Sequence, residues 1–116
     1  MSDKMLSIAN DYSASPAGRY PADGPFNGER FRDQVLAPAL RDAISKKQKL
    51  VVDLDGAFSY SSSFLEEAFG GLVRTGLFSP REITDHLELR SNDPIYASFV
   101  KDAKSYLRDA LKAAAH

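Results

Sequence analysis

Three consecutive hydroxyls, Ser61-Ser62-Ser63, stand directly ahead of the apolar run that starts at Phe64-Leu65. Hydroxyls in that position cap the free N–H groups at the start of a helix. The same N–H groups and the positive end of the helix dipole stabilise a phosphate. The serines therefore read either as plain caps or as a phosphate-bearing site. A second candidate lies between Asp11 and Phe26, a long segment dense in Ser, Pro, Gly and Asp. A structured loop of that length is more often functional than idle. Arg19 and Asp23 make it a candidate small-ligand or nucleotide site in which Arg19 meets an anion; alternatively Arg19 pairs with Asp11 or Asp23. His86 has one companion histidine, the terminal His116. Neither has a cysteine or a second histidine at ligand spacing, so no metal and no cofactor is expected. Tyr12, Tyr20, Tyr60, Tyr96 and Tyr106 are not interleaved with basic residues as a base-stacking platform requires. Lys46-Lys47-Gln48-Lys49 reads as the solvated connection between a helix and a strand.

These groups need elements to position them. Met5 to Asn10 is expected as a first strand, with Arg19 and Tyr20 as a short second one before the turn Asp23-Gly24-Pro25. Asn27 is a credible N-cap, after which Phe31, Val35, Leu36, Leu40, Ala43 and Ile44 recur at helical spacing to about Lys46. Pro38 lacks a backbone donor, so a kink or break is expected between Val35 and Pro38. Leu50, Val51, Val52 and Leu54 form a continuous apolar run closed by Asp55-Gly56, the pattern of a central strand buried on both faces. The helix opened by the serines runs to about Thr75, with Gly76 as its stop. At 100° per residue Phe64, Leu65, Ala68, Phe69, Leu72 and Val73 share one half of it. Glu66, Glu67, Gly70 and Arg74 are left facing outward as a candidate partner-binding face. Gly70 and Gly71 each cost about 1 kcal/mol relative to Ala in a helix interior, which points to docking or close packing. A turn or short helix at Ser79 to Asp85 leads to a half-buried strand, His86 to Arg90. Asp93 then caps a last helix with Pro94 at its first position and Ile95, Phe99, Ala103, Tyr106, Leu107 and Ala110 along its inner stripe. Strands alternating with helices predict an α/β sandwich: a mixed central sheet of about four strands covered by about three to four helices.

Composition narrows the function classes. The 116 residues suit one domain, 1–116, with a continuous core. Fifteen Lys plus Arg against sixteen Asp plus Glu give a net charge of -1, so nucleic acid and anionic membranes are not expected partners. With no cysteine there is no disulfide framework or thiolate chemistry, in keeping with a reducing, cytoplasmic setting. Met1 to Asn10 lacks the apolar core of a signal peptide, and no run is long and apolar enough to span a bilayer.

Two resemblances complete the reading. Val51-Val52-Asp53-Leu54-Asp55-Gly56 resembles the first motif of haloacid-dehalogenase-type phosphatases, which would make Asp53 a nucleophile and Asp55 its acid. Ala57 and the Ser91-Asn92-Asp93 strand end depart from that family, and the other reading is that both carboxylates accept hydrogen bonds in nearby turns. More extensively, Gly18-Arg19-Tyr20, Asp23-Gly24-Pro25, Gly28 to Arg32, Val51 to Gly56 and Ser62-Ser63-Phe64-Leu65-Glu66-Glu67-Ala68-Phe69-Gly70 resemble the STAS-like domain of unknown function, a bacterial family related in fold to anti-sigma factor antagonists. In such antagonists a histidine-kinase-like ATPase phosphorylates a serine at the start of the helix after a central strand. The resemblance implies Ser62 as the counterpart of that serine, with Ser61 in place of the motif's Asp, Phe64 in place of its Gly, and Ser61 and Ser63 as neighbouring acceptors. The expected function is a regulatory, non-enzymatic protein-binding domain, monomeric or weakly dimeric.

Overall fold

The apolar run at the middle of the chain forms the centre of a three-stranded sheet in the order β1-β2-β3. The computed structural model describes residues 2–115; of the residues named in the sequence expectations, Met1 and the terminal His116 lie outside them. Strand β1 is Asp3–Ser7, β2 is Lys49–Asp53 and β3 is Leu87–Arg90, and both pairings are parallel. The expected mixed sheet of four strands is thus corrected to three parallel ones among the described residues. Arg19 and Tyr20 contribute no strand; a single 3-10 turn, Pro21–Asp23, follows them.

The first strand is also shorter than its apolar pattern suggests. Ser7 Oγ accepts from the Asn10 N–H at 3.1 Å, and Asp11 accepts from the Ser7 N–H at 2.8 Å. This reciprocal capping turns Ile8–Asp11 into one helical turn, α1.

Helix α2 covers residues 28–45 and is capped by Asn27, whose side chain accepts from the Arg30 N–H. The kink or break expected between Val35 and Pro38 takes the form of a widened π turn, Arg32–Leu36, and the helix continues through Ala37–Ser45. Pro38 offers no N–H to close an ordinary turn, and the Ala37 N–H bonds to the Arg32 carbonyl. Helix α3 covers residues 62–74 and contains a second π turn, Glu66–Gly70. Helix α4 is Pro80–His86, and α5 is Ala97–Ala114 after the 3-10 turn Pro94–Tyr96.

Alternation along the strands decides which face is covered. Leu6, Val52 and Leu89 are in register and belong to the main core with Phe31, Phe64, Phe69 and Ile83 from the helices. Met5, Val51 and Glu88 share the opposite face. Val51 is buried there but stands outside the main core cluster, while Met5 is half exposed. Helices therefore build the core on one side of the sheet.

Close contact between α2 and α3 depends on glycine at two places. A Cβ on Gly28 would lie 2.7 Å from the Phe64 carbonyl oxygen, and one on Gly71 would lie 2.7 Å from Arg32 Nη1. Gly71 thus explains half of the Gly70-Gly71 pair as packing. No helix among the described residues is long and apolar enough to cross a membrane.

Candidate functional site

The serine-bearing start of α3 follows the loop that leaves the C-terminal end of β2. Ser61 is the N-cap: its Oγ accepts from the Phe64 N–H at 3.2 Å and from the Gly18 N–H at 3.2 Å. Ser63 Oγ lies 3.3 Å from Ser61 Oγ. Ser62 differs from both, being exposed and making no side-chain hydrogen bond among the described residues. Of the three, it presents its hydroxyl to solvent without a structural duty. Phe64 and Leu65 are buried and hold this end of the helix against the core.

The expected outward face of α3 requires correction. Glu66 and Arg74 do lie at its surface, whereas Glu67 is 6% exposed and Gly70 is buried. A π turn holds more residues than an α turn. Beyond Glu66 the side chains are therefore rotated away from the positions a 100° projection assigns. Glu67 points to α2, where Arg32 Nη1 donates to its Oε2, and Arg32 also donates to Asp33 at 2.8 Å. Arg32 belongs to the Gly28 to Arg32 segment that carries the family resemblance, but its pairing with Glu67 had no signal in the sequence beyond a cation beside the apolar Phe31.

Glu66 is held between two arginines. Arg74 makes a two-pronged pair with it at 2.7 and 2.8 Å, and Arg19 Nη1 donates at 2.7 Å. These hydrogen bonds, Arg74 first, hold the Glu66 carboxyl down at about 2 against the strength of its partial burial. Arg19 Nη1 also reaches Glu67 at 3.0 Å, and the two glutamates push its own pKa up. The side chains of Glu66 and Arg74 lie over Gly70: a Cβ there would meet Glu66 Oε2 at 2.3 Å and Arg74 Nη1 at 3.1 Å.

Arg19 thereby ties the Asp11 to Phe26 loop to α3. The loop is also fixed to α2, since the Gly28 and Glu29 N–H groups donate to the Gly18 and Arg19 carbonyls at 2.9 and 3.0 Å. Tyr12 packs its ring against Phe26, Phe31 and Phe64 and donates to the Asn27 carbonyl at 2.9 Å. Asp23 accepts from the Tyr20 and Arg19 N–H groups, which lower its pKa in that order. Arg19 and Asp23 are thus both engaged within the chain and are not arranged side by side toward a shared ligand space.

At the strand ends Asp53 accepts from the Asp55 N–H at 2.9 Å, and Asp55 accepts from the Asn92 and Asp93 N–H groups at 2.9 and 3.2 Å. Asp53 thus holds the turn after β2, and Asp55 ties that turn to the loop after β3, matching the turn reading of the pair. Tyr60 and Tyr96 add to the same junction, donating to the Leu54 and Ala57 carbonyls. Burial pushes the Tyr60 hydroxyl pKa far up. His86 Nδ1 lies 2.7 Å from the Gln48 carbonyl, a contact that ties α4 to the turn before β2. Among the described residues no cluster of three His, Asp or Glu is placed to hold a metal ion.

Two exposed apolar side chains occur on the same loops. Phe58, 86% exposed, leads into Ser61, and Ile95, 70% exposed, precedes the Tyr96 that bonds to Ala57. Ile95 was expected on the inner stripe of the last helix. The 3-10 turn Pro94–Tyr96 changes the periodicity there and buries Tyr96 in its stead.

No curated protein and no solved structure matches the chain. One family does: the model described as "STAS-like domain of unknown function (DUF4325)" matches residues 27–97, from the N-cap of α2 to the start of α5. That stretch is more than half of the 116 residues and contains the serines, Glu66, Glu67 and the Asp55 junction, so the chain belongs to this family of STAS-like domains.

Proposed function

We propose that this domain is a non-catalytic regulatory module that binds a protein partner through the start of α3, and that Ser62 is its phosphoacceptor. The observation that carries the reading is the division of labour among the serines. Ser61 caps the helix and holds Gly18, whereas the Ser62 hydroxyl is free at the surface. Exposed Phe58 and Ile95 supply apolar contact on the neighbouring loops, and Glu66 and Arg74 supply the polar rim. The partner this reading favours is a histidine-kinase-like ATPase.

A phosphate on Ser62 would add a charge of about -1.5 to -2 at a helix N-terminus, where the dipole stabilises it. The same charge on the contact surface would repel an acidic partner or desolvate poorly against an apolar one. Modification would therefore stabilise the domain and weaken the complex. Less supports an anion or nucleotide in the Asp11 to Phe26 loop, because Arg19 is already paired with Glu66 and Glu67. A phosphatase reading would require Asp53 to leave its hydrogen bond in the turn after β2 and Asp55 to leave those that join this turn to the loop after β3.

The test incubates the domain with a candidate ATPase and ATP, locates modification by mass spectrometry and measures complex affinity for Ser62→Ala and Ser62→Asp. Modification at Ser62 with weaker binding of Ser62→Asp is expected. If no serine from Ser59 to Ser63 is modified and both variants bind like the parent, the proposal is wrong.

A further inference from the structure

On the part of the molecule built by α4 and the C-terminal half of α5 runs a groove of about 460 Å³, open to solvent along one side. Its floor is apolar: Ile83 and Leu87 are buried beneath it, and Leu107 and Leu111 line it from α5. One wall carries three cations, Lys104, Arg108 and Lys112, spaced four residues apart on one side of α5. Lys104 and Lys112 have no carboxylate within 4.0 Å among the described residues, and Arg108 has only Asp109 at that limit. The three cations are exposed to solvent, and no carboxylate is among the residues that line the groove, so its charged wall is of one sign.

We infer that this groove docks an acidic amphipathic helix of a protein partner. Positions i, i+4 and i+8 on α5 span about 12 Å. A partner helix with acidic residues at the same spacing matches all three cations while its i, i+3, i+4 and i+7 apolar residues enter the groove. The open side favours such a helix over a free fatty acid, whose alkyl chain would stay half wet, and the apolar floor disfavours a nucleic acid strand. The surface is separate from the serine-bearing end of α3, so it does not rest on phosphorylation.

The test uses two fluorescein-labelled synthetic helices of about 18 residues, long enough to hold helical structure. Both carry the same leucine stripe; one has Glu and the other Lys at the three flanking positions. Binding is followed by anisotropy and by amide shifts of the isotope-labelled domain. The Glu peptide is expected to bind and to shift Ile83, Leu87, Leu107 and Leu111, and raised salt is expected to weaken it. The combined K104E/R108E/K112E variant should bind about tenfold more weakly or worse. Thr84→Trp, placed at an exposed groove position, should block binding, and Lys101→Glu on α5 outside the groove should leave it unchanged. Circular dichroism confirms that each variant is folded. Equal binding of the Lys peptide, indifference to the triple reversal, or no shift of the groove amides up to about 1 mM Glu peptide overturns the inference. So does a groove that takes decanoate but not the peptide, or one whose amides shift with protein concentration alone.

Discussion

Adding a single methyl group at Gly28 tests whether contact between α2 and α3 positions the serine-bearing helix. The Cβ of Gly28→Ala would sit 2.7 Å from the Phe64 carbonyl oxygen, 3.0 Å from Glu67 Cβ and 3.3 Å from the Ala68 N. Two of these three atoms are backbone, so relief needs one helix to move against the other. Overpacking of that kind costs about 1–3 kcal/mol. Alanine offsets up to about 1 kcal/mol of it through its helix propensity, and less at a first turn than in an interior. The expected net loss is about 1–2 kcal/mol, equivalent to a fall of about 4–8 °C in Tm for a domain of this size. Gly70→Ala is the matched control, because its Cβ meets only the ends of the Glu66 and Arg74 side chains, which can swing aside. Urea unfolding followed by circular dichroism compares both with the parent. A Gly28→Ala protein as stable as the parent, or stabilised like a surface alanine, would refute the close-approach argument.

Further expectations concern charge. Glu67→Ala leaves Arg32, 9% exposed, without its buried partner and should cost about 3 kcal/mol, whereas Arg32→Met combined with Glu67→Leu should cost less than the sum of the single changes; additive losses in a double-mutant cycle would show that the two side chains do not act as a pair. The folded pKa of Glu66 is depressed to about 2 from 4.5, so its contribution is fully present above pH 4.5 and is lost as pH falls through about 2. After discounting for solvent screening of a partly exposed group, the loss is about 1 kcal/mol; Glu66→Gln should thus be less stable than the parent at pH 7, with most of the gap closed near pH 2 and the rest below it, and a gap unchanged between pH 7 and pH 2 would contradict the assignment.

Much of this architecture depends on neighbours within a few residues, and those parts were legible in the chain. The apolar run Leu50 to Leu54, the Asn27 and Asp93 caps, the serine-capped start of α3 and the disturbance ahead of Pro38 all express short-range hydrogen bonding or hydrophobic periodicity. Candidate-site legibility stopped at the same range: three serines were visible, but their separate roles were not. Ser61 became the cap that also receives the Gly18 N–H, a partner 43 positions away, and this contact distinguishes it from Ser62. Glu67 reads as a surface residue at 100° per residue, yet the π turn and Arg32, 35 positions earlier, draw it inside. The direction and number of strands were likewise undetermined by alternation, since the same side-chain pattern serves parallel and antiparallel neighbours. Periodicity reports which groups avoid water along one element; which buried charge meets which partner depends on how the elements approach, and only the packed chain brings those groups together.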